Sequence, residues 1–141
     1  MPITTMKDMW ALLDAYTMTP DGSERSVNHN NEWGGFSRRL DMPVFTAWSD
    51  MLNYDKQAKT TTALVSDIAW AGRPVGLGNQ ERWLQFAQAH GGTAAFFVIH
   101  AHDTGAQIRK VKYIDDDKVF VGTVTRNEQG QAHITGQPRK L

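Results

Sequence analysis

The sequence contains no cysteine, and this absence removes several kinds of chemistry at once. A structural disulfide, a cysteine-ligated zinc ion and a thiol nucleophile are all excluded. The N-terminal segment also lacks a long apolar run, because Lys7, Asp8 and Asp14 interrupt it. We therefore expect neither a signal peptide nor a membrane-spanning helix, which needs about 20 apolar residues, and we expect a soluble, cytoplasmic protein without a membrane partner.

The chain also lacks a surplus of charge of either sign. It has 15 basic and 15 acidic side chains, a balance that argues against a histone-like or polyanion-coating protein. The charge is unevenly spread, since residues 104–141 hold 7 basic and 4 acidic groups. The C-terminal third is therefore mildly basic.

Complete catalytic motifs are missing as well. The sequence has no G-x-S-x-G elbow, no G-x-G-x-x-G fingerprint, no P-loop lysine and no EF-hand spacing, which are the patterns of common hydrolase, nucleotide and calcium sites. We therefore expect a non-enzymatic protein, and the sequence identifies no cofactor.

The length of 141 residues predicts a single domain over residues 1–141. Local patterns predict helices in the first part: one capped by Thr5 with Asp8 three residues on and running toward Tyr16, one over residues 43–54, and one capped by Asn79. After a strand in "TTTALVSDIAWAG", four more strands follow the glycines at 91–92, with hairpin turns at residues 115–117 and 127–130. The expected fold is α+β, with N-terminal helices packed on a C-terminal antiparallel β-meander or partly open barrel.

Basic residues in the predicted C-terminal strands are the main candidates for binding. In "AQIRKVKYI", Lys110 and Lys112 share a strand face, and a neighbouring strand is expected to bring Arg126 beside them. Such a surface can contact several phosphates, and the nearby aromatic Tyr113 can stack on a base if it is exposed. The alternative is an ordinary solvated sheet face. The candidate nucleic-acid-binding residues are Arg109, Lys110, Lys112 and Arg126, with Arg38 and Arg39 at the end of the polar segment "NHNNEWGGFSRR".

Two histidines end the apolar run "TAAFFVIHAH". Strand alternation places His100 and His102 on one face, where they can share a divalent metal, and Asp103 follows directly. A third ligand has to come from elsewhere in the chain. The alternative is that these histidines lie at a strand end and make ordinary hydrogen bonds, and the sequence favours this interpretation.

Tryptophans near a glycine-bearing segment form the last candidate site. Trp70 directly precedes the segment "AGRPVGLG" and Arg73 lies near its start, and with Trp33 they can line an aromatic pocket for a base or a cation. Tryptophans more often belong to the core, so this interpretation also stays open.

Three functions remain. The first is a binding module that contacts nucleic acid through the basic C-terminal strands. The second is a protein-binding regulator or inhibitor, since aromatic and methionine side chains are enriched at interfaces. The third is a metal-dependent hydrolase or nuclease using His100 and His102. We expect nucleic acid or a partner protein as the ligand, and homo-oligomer formation stays open.

Overall fold

The computed structural model describes residues 4–29, 32–67, 74–106 and 109–141. These residues form two α-helices, α1 (Met6–Leu12) and α2 (Pro74–Ala89), and a short 3-10 helix at Ser49–Met51. Neither of the described α-helices is long and apolar enough to cross a bilayer. The strands are β1 (Ala15–Met18), β2 (Glu24–Ser26), β3 (Gly34–Ser37), β4 (Met42–Trp48), β5 (Leu52–Asp55), β6 (Thr60–Asp67), β7 (Thr93–Ala101), β8 (Val111–Ile114), β9 (Lys118–Arg126) and β10 (Gln131–Lys140).

All ten strands belong to one sheet. Nine of them follow the order β2-β1-β3-β4-β7-β9-β10-β6-β5, and β8 pairs with β7. The pairing is antiparallel throughout except between β4 and β7, which run parallel with Val44 opposite Ala95. β7 is thus the centre of the sheet, with β4 on one side and both β8 and β9 on the other.

The two faces of the sheet are covered by different helices. Phe96 and Val98 of β7 join a core cluster with Trp83 of α2. Phe97 and Ile99, the alternate residues, join a second cluster with α1. We call these the α2 face and the α1 face. Central strands buried on both sides have continuous apolar runs, which explains the sequence "AAFFVI" in β7.

A glycine pair allows β9 and β10 to come together closely. Gly122 and Gly136 are direct cross-strand partners. A Cβ on Gly122 would overlap the backbone of Thr135 and Gly136, and a Cβ on Gly136 would overlap the backbone of Val121. Side chains are therefore excluded at this crossing, and only glycine fits there.

The expected fold is wrong. Instead of helices packed on a C-terminal meander, the protein is mostly β, with one ten-stranded sheet that recruits strands from the whole chain. The N-terminal part contributes β1 to β6, and β10 pairs with β6 as well as with β9. The C-terminal strands are therefore part of a larger sheet and do not form a meander of their own.

The helix predicted over residues 43–54 is the main cause of this error. The segment forms β4, the 3-10 helix and β5. Val44 packs into the α1-face cluster, whereas Phe45 and Ala47 pack into the α2-face cluster. An apolar run buried on both faces of a sheet has no strict alternation, so its apolar positions also satisfy a helical spacing.

The two observed helices differ in their bounds from the prediction. The capping box of Thr5 and Asp8 at the start of α1 is confirmed, but α1 ends at Leu12 and the chain continues into β1. Helix α2 begins at Pro74, so Asn79 lies within it and does not cap it. The Asn79 amide donates to Gly34 O, and its oxygen accepts from Thr17 Oγ1. This residue therefore ties α2 to β1 and β3.

One of the two predicted C-terminal turns is correct. Residues 127–130 connect β9 and β10 as a hairpin, with Arg126 opposite Ala132. Residues 115–117 do not form a hairpin, because β8 and β9 pair with the same side of β7. The Asp115 amide donates to Val98 O at 3.0 Å. When the pairing of Phe96 with Phe120 is continued by two residues, Lys118 also falls opposite Val98. The three aspartates therefore bulge out between β8 and β9, which pair one after the other with the same side of β7. We call residues 115–117 the acidic bulge.

Candidate nucleic-acid interface

Basic side chains collect where β8, β9 and β10 meet at one end of the sheet. In the part of the chain that the structure describes, none of them has an ion pair with a carboxylate. All are exposed except Lys118, which is half-buried with its ammonium 5.9 Å from the centre of the Phe120 ring. We call this set the C-terminal basic surface: Lys110, Lys112, Lys118 and Lys140. Arg139 is opposite Val119 of the α1-face cluster and therefore lies on the other face of the sheet from Lys118 and Lys140.

Lys118 and Lys140 are direct partners across β9 and β10. Side chains of directly opposite residues lie on the same face, with Cβ atoms about 4.5–5.5 Å apart, and like charges in this arrangement destabilise a sheet. The next amide, that of Leu141, donates to Asp117 O at 3.0 Å, so the two strands are paired to their ends. The strand register therefore keeps Lys118 and Lys140 side by side, and a bound anion would reduce the repulsion between their positive charges.

An aromatic pair lies next to these lysines. The Tyr113 ring stacks on the His100 ring with centroids 4.0 Å apart and planes at 14°. His100 Nε2 is 3.0 Å from Asp115 Oδ1, which orients the imidazole. Tyr113 itself is 40% exposed. This end of the sheet thus presents an aromatic ring beside unpaired cations.

Lys112 occupies a bulge in β8. Tyr113 lies opposite His100 and Val111 lies opposite Ala101, so Lys112 has no partner on β7. The bulge breaks the strict alternation on which the shared face of Lys110 and Lys112 was predicted. Both side chains are exposed, and both belong to the C-terminal basic surface.

Arg109 is occupied by contacts within the protein. Its guanidinium binds both carboxylate oxygens of Asp50 at 2.6 and 2.9 Å, donates to Thr104 O at 2.8 Å and lies over the Trp48 ring. The hydrogen bonds from Arg109 lower the pKa of the Asp50 carboxyl from its ordinary value. The side chain is only 15% exposed, so Arg109 joins the loop after β7 to the 3-10 helix.

Arg126 is not brought beside Lys110 and Lys112. It lies at the far end of β9 from Lys118, eight residues away, which is about 26 Å at about 3.3 Å per residue. It forms an ion pair with Glu81 of α2 and lowers the pKa of that carboxyl. Arg126 therefore connects the sheet to α2.

Arg38 and Arg39 follow β3, which β4 and β7 separate from β9. Arg38 pairs with Glu24 and Asp14 and lies over the Tyr16 ring at 4.1 Å. Arg39 donates to Leu12 O at 3.2 Å. These two arginines are not part of the C-terminal basic surface.

The predicted aromatic pocket falls partly outside the described residues. Trp70 and Arg73 lie in the range 68–73, of which nothing is described. Trp33 is half-buried, and its ring centroid is 6.0 Å from that of Trp48. Trp33 thus packs with the side chain on which Arg109 lies.

The proposed metal ligands make other contacts. His100 faces Asp115, and the Asp103 carboxylate accepts the Gly105 amide at 2.9 Å. His102 is exposed, and its amide donates to Lys110 O. Among the residues described, no group of three or more histidine, aspartate or glutamate side chains is placed to hold a metal ion.

Sequence reasoning missed Lys118 and the Tyr113–His100 stack. The register of the 127–130 hairpin contained a signal for the first, because counting outward from Arg126 and Ala132 pairs residue 118 with residue 140. The stack had no local signal, since residues 100 and 113 become partners only through the β7–β8 pairing.

Comparison of the chain with protein-family models, with curated proteins and with solved structures gives no significant match. The function proposed below is therefore supported by the contacts and charges described above.

Proposed function

We propose that this protein is a nucleic-acid-binding module that contacts the phosphate backbone through the C-terminal basic surface. The observation that carries the proposal is the cross-strand pair of Lys118 and Lys140, two like charges held opposite each other without a carboxylate partner in the described chain. Phosphates would neutralise both ammonium groups at once, and Lys110 and Lys112 extend the same end of the sheet.

The acidic bulge reduces the local charge but leaves the lysines accessible. The Asp115 carboxylate is engaged with His100, and the Asp116 carboxylate accepts the Thr4 hydroxyl. No ion pair within 4.0 Å joins Asp115, Asp116 or Asp117 to a lysine in the described part of the chain. The four lysines of the C-terminal basic surface therefore outnumber the three carboxylates of the acidic bulge.

The test is a binding titration at a series of salt concentrations. Each phosphate that the protein no longer neutralises lowers the slope of log K against log salt by about 0.7–0.9, so we expect Lys118→Ala with Lys140→Ala to reduce that slope by about 1.4–1.8. The matched control is Lys56→Ala with Lys59→Ala, which removes the same charge from two exposed residues in the turn between β5 and β6. Equal slopes for the two double variants would contradict the proposal.

A protein partner is the second candidate, and the edge of the sheet favours it. β5 ends the strand order, so it pairs with β6 alone in the described sheet, and its Tyr54 is 60% exposed. An exposed edge strand can accept a strand from another protein, and a lysine on the edge blocks such pairing. Under this function, Tyr54→Lys would abolish a stoichiometric complex that the Lys118→Ala, Lys140→Ala variant retains, as measured by co-purification and sedimentation.

A further inference from the structure

The Tyr113 ring has the properties of a platform for stacking. One of its faces is covered by His100, with centroids 4.0 Å apart and planes nearly parallel at 14°. The residue as a whole is 40% exposed, and it is one of the few large apolar side chains at the surface of the described chain. Exposed aromatic rings are the surfaces on which proteins stack unpaired bases.

The platform is held in place before any ligand arrives. His100 Nε2 lies 3.0 Å from Asp115 Oδ1, and the side chains of these two residues are only 24% and 32% exposed. The hydrogen bond to Asp115 thus fixes the His100 imidazole. The Tyr113 ring, which lies on that imidazole, therefore loses little freedom when it binds a ligand. A ring fixed in its bound orientation avoids part of the entropic cost of association.

Phosphate-binding groups lie at a suitable position beside this ring. Tyr113 is opposite His100, and the extended β9 register places Lys118 at Val98, two residues earlier on β7. Tyr113 and Lys118 are therefore about 6.6 Å apart along the same face, at about 3.3 Å per residue. Lys140 follows on the neighbouring strand.

We infer that Tyr113 stacks on an unpaired base, and that the ligand of the C-terminal basic surface is therefore single-stranded nucleic acid. This inference rests on the proposed function and narrows it. In a duplex the base faces are covered by neighbouring base pairs, so a side chain that offers only a ring face gains nothing from them. An unpaired base can lie on Tyr113 while its flanking phosphates reach Lys118 and Lys140.

The experiment compares three fluorescent probes of equal length: a single-stranded oligothymidine of about 12 nucleotides, the duplex of the same length, and an abasic strand that keeps the phosphates but has no bases. Affinities are measured by anisotropy at low salt for the wild type, Tyr113→Ala, Tyr113→Phe and the Lys118→Ala, Lys140→Ala double variant. We expect the wild type to prefer the oligothymidine over both other probes. Tyr113→Ala should weaken oligothymidine binding about tenfold, since stacking of one base contributes a factor of this order, and should leave abasic binding unchanged. Tyr113→Phe should bind as the wild type does.

The outcomes separate the two proposals. If Tyr113→Ala binds oligothymidine as tightly as the wild type, or if the duplex binds as well as the single strand, the stacking role is wrong while the lysine-dependent binding stands. If no probe binds with an affinity that depends on Lys118 and Lys140, both proposals fail. A thermal melt of each variant confirms that it is folded at the temperature of the titration.

Discussion

Arg25 and Glu32 form a two-pronged ion pair, with Nη1 2.6 Å from Oε1 and Nη2 2.7 Å from Oε2. Glu32 is 1% exposed, and its Oε1 also accepts the Asn28 amide at 2.8 Å. Burial by itself raises the pKa of the Glu32 carboxyl, but the hydrogen bonds from Arg25 and Asn28 outweigh it, so the pKa is lowered from its ordinary value.

The lowered pKa predicts loss of stability in acid. The pair contributes fully above the ordinary glutamate pKa of about 4.3, and its contribution is lost as the pH falls through the lower pKa of the folded state. We expect Glu32→Gln to reduce the free energy of unfolding by about 2 kcal/mol at neutral pH and to flatten its fall below about pH 4.3. Urea unfolding at several pH values measures both effects.

Glu24→Gln is the matched control for that substitution. Glu24 pairs with Arg38, and both side chains are about half exposed. Exposed ion pairs contribute about 0–1 kcal/mol, so this variant should keep the acid dependence of the wild type. A Glu32→Gln protein as stable as the Glu24→Gln protein would show that the buried pair does not stabilise the fold.

The Gly122–Gly136 crossing predicts a strong effect of a single methyl group. Gly122→Ala should lower the free energy of unfolding by about 2–3 kcal/mol, because the methyl group overlaps backbone that cannot rotate away. Gly78→Ala is the control, since Gly78 lies within α2 and a Cβ there has nothing within 4 Å. That variant should instead gain about 0.5–1 kcal/mol from helix propensity. Thermal and urea unfolding of the two variants should therefore shift in opposite directions.

The buried amide of Asn79 predicts a second sensitive position. Asn79→Ala removes the amide that donates to Gly34 O and the oxygen that accepts the Thr17 hydroxyl proton, so that Thr17 Oγ1 keeps only the bond from Trp83 Nε1. Hydrogen-bonding groups left unsatisfied in the interior cost about 1–3 kcal/mol each. Asn53, which is exposed on β5, provides the comparison, and Asn53→Ala should change the stability by less than about 0.5 kcal/mol. Comparable losses in urea unfolding would contradict a structural role for the Asn79 contacts.

Charge reversal at Lys140 should separate stability from binding. Lys140→Glu replaces the repulsion with Lys118 by an attractive cross-strand pair, and such pairs contribute about 0.2–1 kcal/mol. We expect a slightly higher melting temperature together with loss of nucleic-acid affinity. A variant that melts higher and still binds as the wild type does would remove the argument that the like-charge pair serves a ligand.

The acidic bulge should weaken binding in the wild type. Asp117 directly precedes Lys118, and a carboxylate about 8 Å from a phosphate costs about 0.5 kcal/mol in water. Asp117→Asn should therefore strengthen binding about twofold at low salt, and the gain should disappear at high salt because exposed charges are screened. An unchanged or weaker affinity at low salt would mean that the phosphates do not pass this bulge.

Short-range signals in the sequence were sufficient for some elements. The Thr5–Asp8 capping box and the turn at residues 127–130 depend on residues within a few positions of each other, and both were predicted. The conformation of residues 43–54 depends on β7, about fifty residues away, because pairing with that strand decides between strand and helix. Local patterns contain no information on that partner.

The candidate site could also be predicted only in part from the sequence. Lys110 and Lys112 could be proposed from their sequence alone. The engagement of Arg109 could not, since its partner Asp50 is 59 residues away. The ion pair of Arg126 with Glu81 spans 45 residues. Whether a basic side chain is available to a ligand is therefore a property of the tertiary fold.

The parallel pairing of β4 with β7 has a consequence for how the chain reaches its native state. The two strands are separated in sequence by β5, β6 and α2, so a long segment has to be closed into a loop before the centre of the sheet can form. Closure of long loops is the entropic step that slows the folding of proteins with high contact order, which reach the native state in milliseconds to seconds. The hairpin of β9 and β10 can form early from its own turn, whereas the pairing of β4 with β7 at the centre of the sheet forms only after the long loop has closed.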